Sequence, residues 1–318
     1  MIDNDIMNSA LTALRRSVKA KVELYNGSTL ADTFTHDGAL KEVAIDRVGE
    51  NSKFFGFGVC QKAKVKLLDK NRELNINKSN AISVSFGIAD VYLTAFPQFS
   101  VKEISRDENT NEITITAYDA IYAAADYTVN DLALDYPITP KGIAGKCARI
   151  IGLDGMSVIS NNLIEAFSDI YYEINLEGSE TVRSVLDAIA EITQTIYFVA
   201  DNKLVFKRLS KEDEASYIID KSQYFSLKTE ESRTLANICN ATELGDNVAT
   251  TSPAEGETQY IRDNPFWELK EDIAEVLETA LAAIEGLSIA PFTLEWRGNF
   301  LLSIGDKIAI ESKNGELI

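Results

Sequence analysis

The run Phe54–Tyr122, FFGFGVCQKAKVKLLDKNRELNINKSNAISVSFGIADVYLTAFPQFSVKEISRDENTNEITITAYDAIY, decides the fold. Four segments within it, Cys60–Leu68, Ala81–Gly87, Phe99–Arg106 and Glu112–Tyr118, alternate apolar with polar residues and are rich in Val, Ile, Thr and Phe. That alternation is the mark of strands with one buried face. The polar Asp107-Glu108-Asn109-Thr110-Asn111 between the last two predicts a hairpin with a loop of roughly five residues. Together with Leu40–Val48 upstream, these strands suffice to close a small antiparallel barrel.

Working outward, the order of "VCQKAKVKLLD", a polar loop, "ISVSFG", a Pro-bearing link and "FSVKEISRDENTNEITITAYDAIY" resembles the N-terminal domain of phage tail-tip hub proteins. That family includes the hub of contractile baseplates and the tail-associated protein of long non-contractile tails, some members being labelled prophage endopeptidase tail. A second stretch, "SVLDAIAEITQTIYFVADNKLVFK", looks like the family's middle domain, in which a helix packs on a hairpin. The resemblance implies a homotrimer with pseudo-sixfold symmetry. Its implied partners are a distal tail or tube protein ring, a central spike, fibre or lytic C-terminal region, and the tape-measure protein. It implies a place at the virion tail tip after assembly in the bacterial host cytoplasm, a conduit for DNA, and no catalysis in this segment.

The expected fold class is α+β, mainly β, with two similar small antiparallel β-barrel domains flanking a middle α+β region. The expected divisions are 1–125 for the first barrel, 126–225 for the middle domain and 226–318 for the second barrel with a helical insertion. The duplication is one of pattern. Asn237–Leu244 ends in Gly245-Asp246-Asn247 much as Glu42–Val48 ends in Gly49-Glu50-Asn51, while Ile289–Trp296 and Lys307–Glu311 follow in the places of the next two strands. Lys313-Asn314-Gly315 offers a hairpin turn without a returning strand, which predicts that the natural protein continues.

Helices are expected at four places. Asp3 or Asn4 caps the first, whose apolar positions are Met7, Ala10, Leu11, Leu14 and Val18. Thr139-Pro140 starts the second, Ser179 the third, with Val182, Val185, Leu186, Ile189 and Ile192 as its apolar stripe, and Asn264-Pro265 the last.

Length and composition agree with a soluble multidomain chain. The sequence has 318 residues, 45% hydrophobic and 25% charged. No apolar run approaches the roughly twenty residues of a membrane helix, and the N-terminus lacks the charge order of a secretory signal. The net charge of −18 is unevenly placed: residues 1–125 carry −1 and residues 126–318 carry −17. Such a surface repels phosphate, which argues against specific nucleic-acid binding; its plain reading is solubility, and its sharper one an acidic ring lining a conduit past which DNA slides.

The chemistry on offer is sparse. His36 is the only histidine and sits in a polar stretch, which excludes HExxH sites and paired catalytic histidines. Cys60, Cys147 and Cys239 lie far apart and read as small buried residues. Gly56 and Gly58 lack the lysine and helix of a phosphate loop and point instead to a bulge or a close backbone approach. Asp69–Glu73 lacks the glycine and distal glutamate of a calcium loop. Tyr118, Asp119 and Tyr122 read as a strand end with aromatic packing. Asp187 and Glu191 read as a solvated helix face, as do Glu271, Glu275 and Glu278. No catalytic, cofactor or metal residue is assigned. The alternatives are a cell-wall-degrading endopeptidase or glycosidase, which needs two suitably placed carboxylates, and a carbohydrate-binding tail module, for which Trp267 and Trp296 are the candidate aromatics.

Overall fold

The computed structural model describes residues 18–50, 52–88, 91–93, 96–159, 167–242, 245–250, 256–262, 264–267, 272–284 and 286–317. The helix expected from Asp3 lies outside them up to residue 17, and Val18 already belongs to a strand. The chain is α+β and mainly β.

The first strands are β1 (Val18–Asn26), β2 (Thr29–Thr35), β3 (Leu40–Val48), β4 (Phe57–Gly58), β5 (Cys60–Leu68), β6 (Asn80–Ile88), β7 (Val91–Leu93), β8 (Phe99–Asp107) and β9 (Glu112–Tyr118). All but β4 join one antiparallel sheet in the order β2-β1-β6-β8-β9-β5-β3, with β7 added to β6. Its two edge strands, β2 and β3, are consecutive in sequence and joined by the turn at 36–39. The sheet therefore curls until its edges meet at one connection, giving a barrel with a seam. Burial of the inward face holds it closed. Val22, Leu24, Val65, Leu67, Ile82, Val84, Ile113 and Ile115 all point inward and are buried in one core, each contributing about 1.5–3 kcal/mol of hydrophobic stabilisation.

The middle of the chain contains α1 (Ala120–Ala123), α2 (Pro140–Ile150), β10 (Met156–Ile159), α3 (Val182–Ile192), β11 (Ile196–Ala200) and β12 (Lys203–Lys207). Thr139 caps α2 by accepting from the Gly142 amide at 3.1 Å, with Pro140 in the first turn. The third helix begins three residues later than Ser179. Thr181 is its cap, accepting from the Ser184 amide, while the Glu180 carbonyl is engaged by the Val129 amide. Asp201 and Asn202, both at positive φ, make the turn between β11 and β12, as their tolerance of that region predicts. The sheet order is β10-β12-β11-β4, so a two-residue strand from the loop between β3 and β5 pairs in parallel with β11.

The remainder holds β13 (Tyr217–Ile219), β14 (Tyr224–Thr229), β15 (Arg233–Thr242), β16 (Gly245–Thr250), β17 (Glu257–Arg262), α4 (Ile273–Ala282), β18 (Ser288–Ile289), β19 (Phe292–Trp296) and β20 (Ile308–Ile310). These strands pair differently from those of the first barrel. β13 runs parallel to β20, β14 antiparallel to β19, and β15 is flanked by antiparallel β16 and parallel β17. Three features redirect the pairing. Gly245-Asp246-Asn247 opens a strand instead of closing one. β17, absent from the sequence reading, occupies the other edge of β15. Pro291, with no amide hydrogen to donate, falls where the expected run Ile289–Trp296 divides into two. The last helix is capped by Asp272, not Asn264. After the turn at 313–315 the chain does return, through a single bridge between Glu311 and Leu317.

Candidate functional site

The chain between β3 and β5 leaves the barrel, touches both other regions and comes back. We call residues 52–61 the strap. Nearly every residue of it is tied down. The Ser52 carbonyl accepts from Arg233 (3.1 Å), and Lys53 Nζ meets Glu191 Oε1 at 3.1 Å. The Phe54 amide donates to Gln259 Oε1 (2.8 Å), whose Nε2 returns a bond to the Phe55 carbonyl (3.0 Å). The amides of Gly56 and Val59 donate to the carbonyls of Thr195 and Tyr197, each at 2.8 Å. Arg183 donates to the Gly58 carbonyl at 3.0 Å. The Phe54 and Phe55 side chains are buried in one core with Leu235, Ile238, Ile261, Trp267, Leu277 and Leu281.

Both glycines are required by proximity. A Cβ at Gly56, which sits at φ +79°, would collide with the Glu191 side chain, and one at Gly58 would lie 2.5 Å from the Tyr197 ring. The close backbone approach expected at Gly56 and Gly58 is thus met by helix α3 and strand β11.

That approach overturns the reading of Asp187 and Glu191 as a solvated face. Asp187 accepts from the Tyr197 hydroxyl at 2.8 Å and lies 3.6 Å from Arg183. Glu191 is held by Lys53 and by Asn264 Nδ2 (3.0 Å), which also donates to the Ala188 carbonyl. Burial raises both carboxyl pKa values, opposed by those cationic and hydrogen-bonding neighbours. Asp119, read in the sequence with Tyr118 and Tyr122 as a strand end with aromatic packing, is a buried acid. It caps α1 through the Ile121 amide (3.2 Å) and accepts from the Gln61 amide (2.9 Å) and the Cys60 thiol (3.4 Å). Burial pushes it up to about 6. The Cys60 thiol is pushed up to about 12 by burial and by Asp119 beside it, so it is not a nucleophile at neutral pH. Cys60 is half-buried, whereas Cys147 and Cys239 are buried as expected.

The other singled-out residues are dispersed. His36 is exposed in the turn at 36–39. Asp69 accepts from the amides of Glu73 and Leu74 and from Arg106, an arrangement that organises a loop with backbone donors. Trp267 is buried, whereas Trp296 is half-buried, packs on Tyr217 and lines a cavity of about 490 Å³ with Arg47, Phe86, Phe96 and Phe300. Glu275 lies in the first turn of α4, and Glu271 falls outside the described residues. Among the described residues no group of three or more His, Cys, Asp or Glu is placed to hold a metal ion, and no helix is long and apolar enough to cross a membrane. Asp119, Asp187 and Glu191, the carboxylates that meet the strap or its neighbours, each have donors. The arrangement is therefore suited to holding regions together, with no open acid and base pair facing a substrate.

The class that these features define is the fold of phage tail proteins. It is shared over nearly the whole chain with the 43 kDa tail protein of prophage MuSo2 from Shewanella oneidensis, at 13% identity, covering 93% of this chain and 91% of that one, with a TM-score of 0.56. The tail protein from Neisseria meningitidis MC58 is similar at 12% identity, 94% and 89% coverage and a TM-score of 0.58. Prophage tail protein gp18 from Listeria monocytogenes EGD-e is similar at 12% identity, 94% and 87% coverage and a TM-score of 0.51. No family model and no curated protein matches the sequence.

Proposed function

We propose that the chain is a structural component of a bacteriophage or prophage tail, the hub of its baseplate or tip. The observation that carries this is the overlap, nearly end to end, with three tail proteins at TM-scores above 0.5. The strap supports it, because an adaptor between other tail parts has to keep its regions in fixed relation. In this reading the domains are 1–125, 126–225 and 226–318, and three copies form a ring with pseudo-sixfold symmetry around a conduit for DNA. The ring joins the distal tail or tube protein to the spike or fibre, passes the tape-measure protein, and catalyses nothing itself.

Light scattering on the full chain tests the ring. A trimer has a mass of about 105 kDa, three times 35.1 kDa, and its particles in negative stain show a central hole. A mass of 35.1 kDa at every concentration up to about 100 µM overturns the ring. Release of soluble sugar or peptide from purified peptidoglycan overturns the non-catalytic part of the reading.

A further inference from the structure

One end of the barrel is not closed by its own strands. Val18 continues the inward positions Val22 and Ala20 of β1, and Phe86 the inward Ile82 and Val84 of β6, at the end from which the strap departs. Here the sheet stops with rings still uncovered. Ile45, Phe86 and Phe96 pack on the barrel core and, with Val18, Trp296 and Phe300, line a cavity of about 490 Å³. Phe86 meets Phe96 edge-on with ring centres 5.6 Å apart and stacks with Phe300 at 6.0 Å. All four aromatic side chains are half-buried, and Val18 is 39% exposed. The cavity exceeds the roughly 150 Å³ in which an apolar pocket takes up a benzene ring.

The chemistry this end lacks is an apolar cover. Arg47 on the cavity wall lies over the Phe96 ring at 5.4 Å and donates to the Leu302 carbonyl at 2.9 Å, and Arg297 is engaged as well, so the cations of the wall already have partners. An apolar element is attached at this spot. Val18 is both a wall of the cavity and the first described residue, so residues 1–17 are joined to its rim. Their apolar positions Met7, Ala10, Leu11 and Leu14 recur at helical spacing. A helix of that length is marginal in water by itself and is stabilised by packing its stripe. A rise of about 1.5 Å per residue sets Leu14 about 6 Å and Leu11 about 10 Å from Val18 along such a helix, within reach of the cavity.

We propose that residues 1–17 of the same chain fold as an amphipathic helix across this end of the barrel and bury Leu11 and Leu14 in the cavity. The occupant is this segment because it is tethered at the mouth: a chain joined to the rim meets the site at an effective concentration in the millimolar range, which a second copy in dilute solution does not match. Trp296 and Phe300 come from the C-terminal region, so the helix touches that region and the barrel together and ties them a second time, beside the strap. The contact lies within one chain and holds whether or not three copies form a ring.

Hydrogen exchange and tryptophan fluorescence on the full chain test it, in wild type, Leu11→Asp/Leu14→Asp and Phe300→Asp. In wild type the amides of residues 8–16 are expected to exchange at least about tenfold more slowly than in an unstructured peptide, equally at about 1 µM and about 100 µM protein. Both variants are expected to lose that protection and to shift the emission of Trp296 to the red, Trp267 being buried. Phe300→Asp changes the seat and leaves the segment intact. Unchanged protection of β5 and β9 shows that the barrel is folded in each variant. Free-peptide exchange of residues 8–16 in wild type overturns the proposal, as does Trp296 emission that Leu11→Asp/Leu14→Asp leaves unchanged. Protection that survives Phe300→Asp overturns it by putting the helix elsewhere, and protection seen only at the higher concentration does so by making the segment of a second copy the occupant.

Discussion

The barrel fills its core from its own strands, whereas the C-terminal region borrows. Between residues 20 and 117 sixteen buried side chains form one cluster, every one of them from the barrel or its loops. Between residues 217 and 317 one cluster has only Ile219, Tyr224 and Ile310 fully buried. The larger cluster around Leu235 and Leu277 is completed by Phe54 and Phe55 from the strap. A continuous sheet whose edges converge encloses its own apolar face. The C-terminal strands do not: the ribbons of β13 with β20 and β14 with β19 enclose little, and β15 and β17 bury Leu235, Ile238 and Ile261 against α4 and the strap.

The largest test of that difference is Phe54→Ala. It removes a buried ring from the borrowed core and is expected to cost about 4 kcal/mol. Hydrogen exchange should show the loss in β15 and α4 while β5 and β9 keep their protection. Equal loss in the barrel would break the contrast. Next, the two regions' own cores can be compared directly. Ile115→Ala in the barrel is expected to cost about 3 kcal/mol and Leu294→Ala in the partly buried C-terminal ribbon about 1 kcal/mol, read from denaturant midpoints. Matching losses would mean that the ribbon is as well packed as the barrel.

Asp119 separates barrel and middle region by pH. Its folded pKa is raised from 3.8 to about 6, so the folded state holds the proton more tightly than the unfolded chain. The stability linked to it is fully present below pH 3.8 and is lost as the pH rises through about 6. Relative to Asp119→Asn, wild type should gain about 2 kcal/mol between pH 7 and pH 4.5. A constant difference across that range refutes the assignment. The smallest effect is expected at the exposed pair of Lys66 and Glu42 on the barrel's outer face, where Glu42→Gln should leave the thermal midpoint unchanged.

What the sequence shows and hides follows from the same contrast. The middle of the barrel was legible because β5 and β9 alternate over their length and their neighbours follow closely, whereas β2, exposed along most of its length, carries no such pattern. Thr139-Pro140 and Asp201-Asn202 were legible as local chemistry. The second set of strands was not, since the choice between antiparallel β16 and parallel β17 as partners of β15 depends on distant residues. The role of Asp187 and Glu191 was hidden for the same reason. A helix face rich in acids looks solvated until Gly56 and Gly58 bring a strand against it, and those glycines were the signal that some such surface existed.

The strap leaves the barrel at the end of the edge strand β3 and re-enters it at β5, the strand paired with β3 in the ladder. A tug on the C-terminal region is therefore delivered to both strands at once and resisted by the ladder of β5 with β9, which has to slip as a whole row. A terminal tether would instead let the sheet unzip one rung at a time.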